Sequence, residues 1–381
     1  MQRYRLRWWS VALVLLLLFP ASPTVLAVGK SPTGKATGAK SVVPTATKKK
    51  KKSSRRLRAR RVRYTVPSYG DPTASDRLEG EDPAVRVVAV RALGNYNGSV
   101  VVVEADTGRV LSIVNQKLAL SSGFKPCSTI KLAVGLAALE EGLITGDTLV
   151  PVSRRQAINL TEALAYSNNP FFQVLGERLG FEKVSAYARL LGFGELAGYL
   201  IEDEYPGAFP SRPPAWGGVG RMSSFGEEVK VTPLQLAALM ASFANGGTLY
   251  YLQYPRTPEE QSEFKPRVKR YLPIQRWLPE LRAGMEAAVL YGTARVSAEA
   301  EERILGKTGT CNAESAKLGW FASYGELPSG KRIVVVVLLR GGRVFSGPKA
   351  AEIAGEVYRG LSQRYELASR PAATPVPVGG N

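Results

Sequence analysis

The stretch from Ser128 to Gly142 constrains the fold of this chain more than any other. Leu132, Ala133, Leu136, Ala137 and Leu139 place apolar side chains nearly all round a helical wheel, and a helix with no polar face has to be enclosed by other elements. At 381 residues the chain is long enough to build that enclosure, as one large domain or two smaller ones. The same helix opens on Ser128 and Lys131, three residues apart and so on one face, with Oγ and Nζ within reach of each other. The chain contains no histidine, which excludes a Ser-His-Asp arrangement. Lysine is the other side chain able to take a serine proton, once burial and a neighbouring cation lower its pKa. Spacing alone says little, since Ser122/Lys125, Ser262/Lys265 and Ser346/Lys349 share it.

Around the helix the pattern predicts further elements. Asp82-Pro83 and Gly94 bracket a helix over Ala84–Leu93, with an N-cap, a proline at N1 and a C′ glycine. Ser99–Glu104 and Arg109–Val114 read as a β-hairpin. Helices are expected over 161–166, 171–179, 184–191, 234–244, 278–290 and 350–361, with Thr232 and Gln235 forming a capping box before the fourth. Ile304–Thr308, Lys317–Tyr324 and Lys331–Arg340 read as strands. Tyr205–Phe225 reads as loop, and Tyr250–Leu272 as a surface excursion. This order predicts an α+β fold, in which an antiparallel sheet is built from N- and C-terminal strands and helices pack on its faces.

The formal net charge of +19 suggests a nucleic-acid binder until it is located. Residues 1–66 hold 17 cations and no acid, which leaves about +2 for the other 315 residues. A basic groove for nucleic acid is therefore excluded from the globular part. Arg3, Arg5 and Arg7 precede the apolar run Trp8–Phe19, and Val25-Leu26-Ala27 offers a cleavage site. Residues 1–27 thus read as either a signal peptide or a membrane anchor, and in both cases the chain is exported. Residues 28–81 read as a disordered basic linker, residues 82–366 as the catalytic domain and 367–381 as a disordered tail. The run Lys48–Arg63 suits contact with anionic lipid or an anionic wall polymer, and equally a solubilising spacer.

Two further motifs follow the helix, Ser167-Asn168-Asn169 and Lys307-Thr308-Gly309-Thr310. Ser-x-x-Lys, Ser-x-Asn and Lys-Thr-Gly in that order resemble the signature of the penicillin-binding and serine β-lactamase superfamily. Tyr166–Gly180, Val231–Gly247 and Gly292-Thr293-Ala294 look like penicillin-binding transpeptidase segments, and the resemblance covers about residues 85–362. It implies a β-lactamase/transpeptidase-like fold with an all-helical subdomain beside the sheet. It also implies a serine D,D-transpeptidase that acts on D-Ala-D-Ala stem peptides of peptidoglycan and is acylated by β-lactams. On that pattern Ser128 is the nucleophile and Lys131 its general base. Ser167 relays a proton to the leaving amine, and Asn169 holds the acyl amide and the Lys131 head. Lys307 keeps Lys131 neutral and attracts the substrate carboxylate, which Thr308 and Thr310 bond. Gly309 lets the substrate backbone lie against the strand, and the amides of Ser128 and Thr310 form the oxyanion hole.

No Glu-x-x-Leu-Asn or Tyr-Gly-Asn motif of the lactamases is found, so transfer to an amine is favoured over hydrolysis. A D,D-carboxypeptidase, a β-lactamase and a non-turnover β-lactam sensor remain as alternatives. The pedestal or glycosyltransferase that large family members carry upstream is not expected here, which makes a glycosyltransferase a possible partner. Cys127, where the family usually has a small residue, and Cys311, four residues past Lys307, resemble the disulfide pair of some class A carbapenemases. In an exported chain with two cysteines this implies a Cys127–Cys311 disulfide. No cofactor is implied, and without histidine and with both cysteines placed no metal site is expected.

Overall fold

The structure is a computed structural model that describes residues 63–298 and 303–369. The expected signal or anchor segment 1–27, nearly all of the basic run and the residues from 370 onward lie outside the described residues. Among the described residues no helix is long and apolar enough to cross a membrane.

Five antiparallel strands form the main sheet, in the order Val110–Val114, Gly98–Glu104, Arg332–Gly341, Lys317–Glu326, Ile304–Asn312. The early strand Gly98–Glu104 pairs with the late one, Val101 opposite Val336, so the two ends of the domain meet inside one sheet. Alternate residues serve two cores. Val101, Val103, Trp320, Ala322, Val336 and Leu338 face the central helices. Val100, Val102, Phe321, Val335 and Val337 face the helices Pro83–Leu93 and Gly347–Ser369. A sheet covered on both faces demands the unbroken valine runs seen in these strands.

Local signals explain much of the helical frame. Asp82 Oδ1 accepts from Ala84 N and Val85 N at 2.9 and 3.1 Å, and Gly94 closes that helix at φ 58°. The Thr232/Gln235 capping box forms as expected and opens the fully buried helix Pro233–Ala244. In the helix Lys131–Glu140 every residue but Glu140 is buried, as its all-round apolar character requires. The two helices expected over 171–191 form one run, Asn169–Leu190, broken at Gly180, whose φ is 79°.

Several expectations need correction. The linker was expected to reach residue 81, yet residues 63–81 pack on the domain. Asp76 takes a 2.8 Å ion pair from the buried Arg86 guanidinium and accepts from Asn115 N and Gln116 N. Glu81 accepts from Ile113 N, Ser112 Oγ and Tyr254 OH. Buried carboxylates this well satisfied tie the segment down, and removing one partner would cost about 3–5 kcal/mol. The supposed loop 205–225 ends in a helix, Gly218–Phe225. The supposed excursion 250–272 contains a hairpin of Thr248–Tyr251 with Arg267–Tyr271 and a short helix, Pro258–Ser262, with its own capping box. A second small hairpin, Val150–Ser153 with Gln156–Ile158, has too few apolar residues to show in the pattern. The C-terminal helix extends through Ser369, past the expected domain end.

Candidate active site

The segment before the central helix sets the site. Cys127 adopts φ 52°, and Cys127–Ile130 forms a 3₁₀ turn before the α-helix begins at Lys131. In 3₁₀ geometry residues i and i+3 eclipse, so Ser128 and Lys131 project from the turn one above the other. Thr129 braces it, with both its N–H and its hydroxyl donating to Pro126 O, at 3.2 and 2.8 Å. Ser128 is 7% exposed, and among the described residues no side chain holds its hydroxyl.

Lys131 is wholly buried, and its Nζ has three protein neighbours: Ser167 O at 2.7 Å, Asn169 Oδ1 at 2.7 Å and Ser167 Oγ at 3.1 Å. Two of these can only accept. A neutral amine satisfies them with its two N–H bonds and turns its lone pair toward the hydroxyl side of the site. The Phe172 ring lies 5.4 Å away. Burial, and then the charge of Lys307, hold the Lys131 pKa well below the usual lysine value. Lys307 is also wholly buried; its Nζ donates to Thr308 O at 3.0 Å, and burial pushes its pKa down to about 7. Neither lysine has a carboxylate partner among the described residues.

The middle motif is placed by a helix end. Leu160–Ala165 closes with Asn168 N donating to Ala163 O and Ser167 N to Leu164 O, the bonding of a Schellman motif. That motif puts Ser167 at φ 54°, a left-handed position usually given to glycine and costing serine about 1 kcal/mol. Asn168 then caps the next helix by accepting from Phe171 N at 2.9 Å, which leaves Ser167 and Asn169 to face Lys131. The strain at Ser167 accompanies a hydroxyl that glycine would not supply.

The third motif lies on Ile304–Asn312, the outermost strand of the sheet. The Cβ position of Gly309 and the side chain of Cys311 face the turn that carries Ser128. A Cβ at Gly309 would sit 3.1 Å from Pro126 O and 3.3 Å from Cys127 Cβ. In the fold, then, the room left by Gly309 is used by the turn that carries Ser128. Cys127 and Cys311 are joined in a disulfide with Cα atoms 5.5 Å apart, as the sequence resemblance implied. Trp320 on the adjacent strand donates from Nε1 to Lys125 O at 3.0 Å, a second tie on the same turn.

The two threonines differ in a way sequence reasoning missed. Thr310 is exposed, and its Oγ1 accepts from Gly347 N at 2.7 Å. Thr308 is 3% exposed, with Oγ1 2.6 Å from Thr293 Oγ1. Direct contact with a ligand is therefore open to Thr310, whereas Thr308 is committed to Thr293. Thr293 also donates its N–H to Ala165 O, two residues before Ser167. One residue thus bridges the second and third motifs, and the Gly292-Thr293-Ala294 segment was the signal available for it. If penicillin acylates this site, as the sequence resemblance implies, Thr293→Val should slow that step about tenfold, the loss of about one hydrogen bond's worth of positioning, while Thr293→Ser keeps the wild-type rate at the same melting temperature. Equal rates in Thr293→Val and wild type would remove Thr293 as a positioning residue.

A family model for the penicillin binding protein transpeptidase domain matches residues 98–359. Stage V sporulation protein D of Bacillus subtilis (strain 168) is 30% identical over 284 residues, covering 65% of this chain and 43% of that one. Peptidoglycan D,D-transpeptidase FtsI of Escherichia coli (strain K12) is 25% identical over 361 residues, covering 81% and 59%. The chain spans about half the length of these curated relatives. Among solved structures, the D,D-transpeptidase domain of a peptidoglycan glycosyltransferase from Eggerthella lenta superposes with a TM-score of 0.61 at 21% identity, covering 75% of this chain and 82% of that one. The penicillin-binding protein PBP2 of Helicobacter pylori, in a complex with MreC, gives 0.63 at 22%, covering 75% and 63%. At these identities the structural likeness speaks for the fold.

Proposed function

Because this chain belongs to the penicillin-binding protein transpeptidase domain family, we propose that it is a serine D,D-transpeptidase of peptidoglycan cross-linking that β-lactams acylate. The observation that carries this reading is the buried Lys131, bonded to Ser167 and Asn169, paired with no carboxylate and held toward its neutral form.

Ser128 Oγ attacks the carbonyl carbon between the two terminal D-alanines, and its proton passes to neutral Lys131. The developing oxyanion is met by the amides of Ser128 and Thr310. The adduct then collapses, the C–N bond breaks, and the departing D-alanine amine takes a proton delivered through Ser167. Charged Lys307 and the exposed Thr310 receive the terminal carboxylate, and Asn169 orients the acyl amide. The outer strand offers a free edge along which a stem peptide can lie extended. An acceptor amine finally displaces Ser128 and regenerates its hydroxyl. With penicillin the lactam C–N bond opens instead, and the amine stays tethered to the acyl-enzyme. Transfer rather than hydrolysis is supported by the relatives' names and by the side-chain bonding of the site. Among the described residues no carboxylate bonds Ser128, Lys131, Ser167 or Asn169, so none stands ready to activate water. Peptidoglycan lies outside the cytoplasm, and the Arg-flanked segment Trp8–Phe19 provides for export or anchoring.

Fluorescent penicillin is expected to label the wild type and to leave Ser128→Ala unlabelled; equal labelling would refute the nucleophile. Product analysis with a stem-peptide donor and an amine acceptor then separates cross-linking from carboxypeptidase action, since the latter yields the shortened peptide and no adduct.

A further inference from the structure

A cleft of about 550 Å³ opens at the end of the sheet away from the disulfide, lined in part by Arg282, Arg303, Leu305, Tyr324, Glu326 and Arg332. Leu305 and Tyr324 are paired across adjacent strands, two residues from Lys307 and its partner Ala322. The proposed chemistry uses none of the polar groups in this cleft.

Two of those groups are donors without an acceptor. Tyr324 is 6% exposed and its hydroxyl is buried; Arg282 donates toward its oxygen, while the phenol's own proton meets no acceptor among the described residues. Arg282 Nε–H is also buried and unpaired. A buried donor left unmade costs about 1–3 kcal/mol, so two in one concavity mark a place where an acceptor belongs. The surrounding charges say which kind. Arg332 pairs with Asp106, and Arg303 pairs with Glu286 through bonds of 2.6 and 2.7 Å. Arg282 has no carboxylate partner among the described residues. Its Nη2 donates to Phe243 O and Ala244 O, at 2.6 and 3.2 Å, where the Pro233–Ala244 helix ends. Glu326, exposed at the rim, is the one carboxylate among the lining residues. Away from the Glu326 rim, the Tyr324 O–H and Arg282 Nε–H thus meet no acceptor among the described residues, and Arg282 has no ion pair there.

We propose that this cleft binds a small oxyanion, a phosphate or carboxylate group, with Tyr324 O–H and Arg282 Nε–H as its donors. An anion that binds only the folded protein raises the melting temperature in proportion to its occupancy. The test is thermal unfolding and calorimetry of the full chain with inorganic phosphate or with acetate, each against chloride at matched ionic strength. One or both anions should raise the wild-type melting temperature beyond chloride, and the one that does identifies the group. Tyr324→Phe should bind that anion at least tenfold more weakly. Without anion it should melt close to the wild type, because it loses an unmet O–H donor and Arg282's acceptor together. It should also keep the wild-type rate of penicillin acylation, which separates this site from the catalytic one. No shift beyond chloride in the wild type would mean that water completes the cleft and would overturn the proposal. An undiminished shift in Tyr324→Phe would overturn it as well.

Discussion

Lys131→Met will slow acylation by fluorescent penicillin about 10³-fold while leaving the chain folded, within the range by which a positioned general base accelerates proton transfer. Methionine keeps the length and apolar stem of the lysine but has no lone pair for the Ser128 proton. It removes an amine that is buried without a carboxylate, and it leaves Ser167 O and Asn169 Oδ1 without their donor, so the two effects on stability oppose each other. Circular dichroism would verify the fold. A variant acylated within a few-fold of the wild type would show that another group takes the proton.

The pH profile tests the same assignment from the other side. With Lys131 as the proposed base, active when neutral, the rate is expected to rise as pH climbs through its pKa, which burial and Lys307 hold well below the usual lysine range. In the proposed mechanism Lys307 acts charged, and its pKa is pushed down to about 7, so the rate is expected to fall again as it discharges. The two limbs belong to the coupled pair of lysines, and a bound carboxylate holds Lys307 charged to higher pH. In Lys307→Met one of the two causes lowering Lys131 disappears. The acid limb should therefore move to higher pH, and a limb that stays in place would break the proposed coupling.

Removing the disulfide has the second large effect, this time on stability. Cys127→Gly with Cys311→Ala opens a link between residues 184 apart, expected to cost about 3 kcal/mol, or roughly 5 °C in melting temperature for a domain of this size. Glycine at 127 suits the φ of 52°, so the loss would report the cross-link rather than backbone strain. Acylation should slow less than stability falls, because Trp320 Nε1 still holds Lys125 O and Gly309 still packs under Pro126. Wild-type protein in reductant should melt with the double variant. Equal melting of the wild type and the variant without reductant would show that the link contributes nothing.

Much of the frame was legible where neighbours along the chain decide it. The caps at Asp82 and Thr232, the all-round apolar helix after Lys131 and the valine runs of the sheet act over at most a few residues, and each appears where the pattern places it. The misses share a cause. Asp76 and Glu81 look like linker residues until Arg86, Gln116 and Tyr254 converge on them from three parts of the chain. The helix Gly218–Phe225 has few helix formers and is buried by its neighbours. Thr293 shows in the sequence only through its Gly292-Thr293-Ala294 segment, and its bonds to Thr308 and Ala165 come from the fold.

The sequence by itself determined which residues make up the candidate site, because Ser-x-x-Lys, Ser-x-Asn and Lys-Thr-Gly each need only a turn, a helix start or a strand to present them. The tertiary structure decided what state those residues are in. Lys131 owes its three hydrogen-bonding neighbours to residues 36 and 38 positions away, and its lowered pKa to enclosure and to a lysine brought in from the far end of the sheet. Charge, burial and hydrogen bonding at a point in space depend on everything packed around it, and only the closed fold assembles those surroundings.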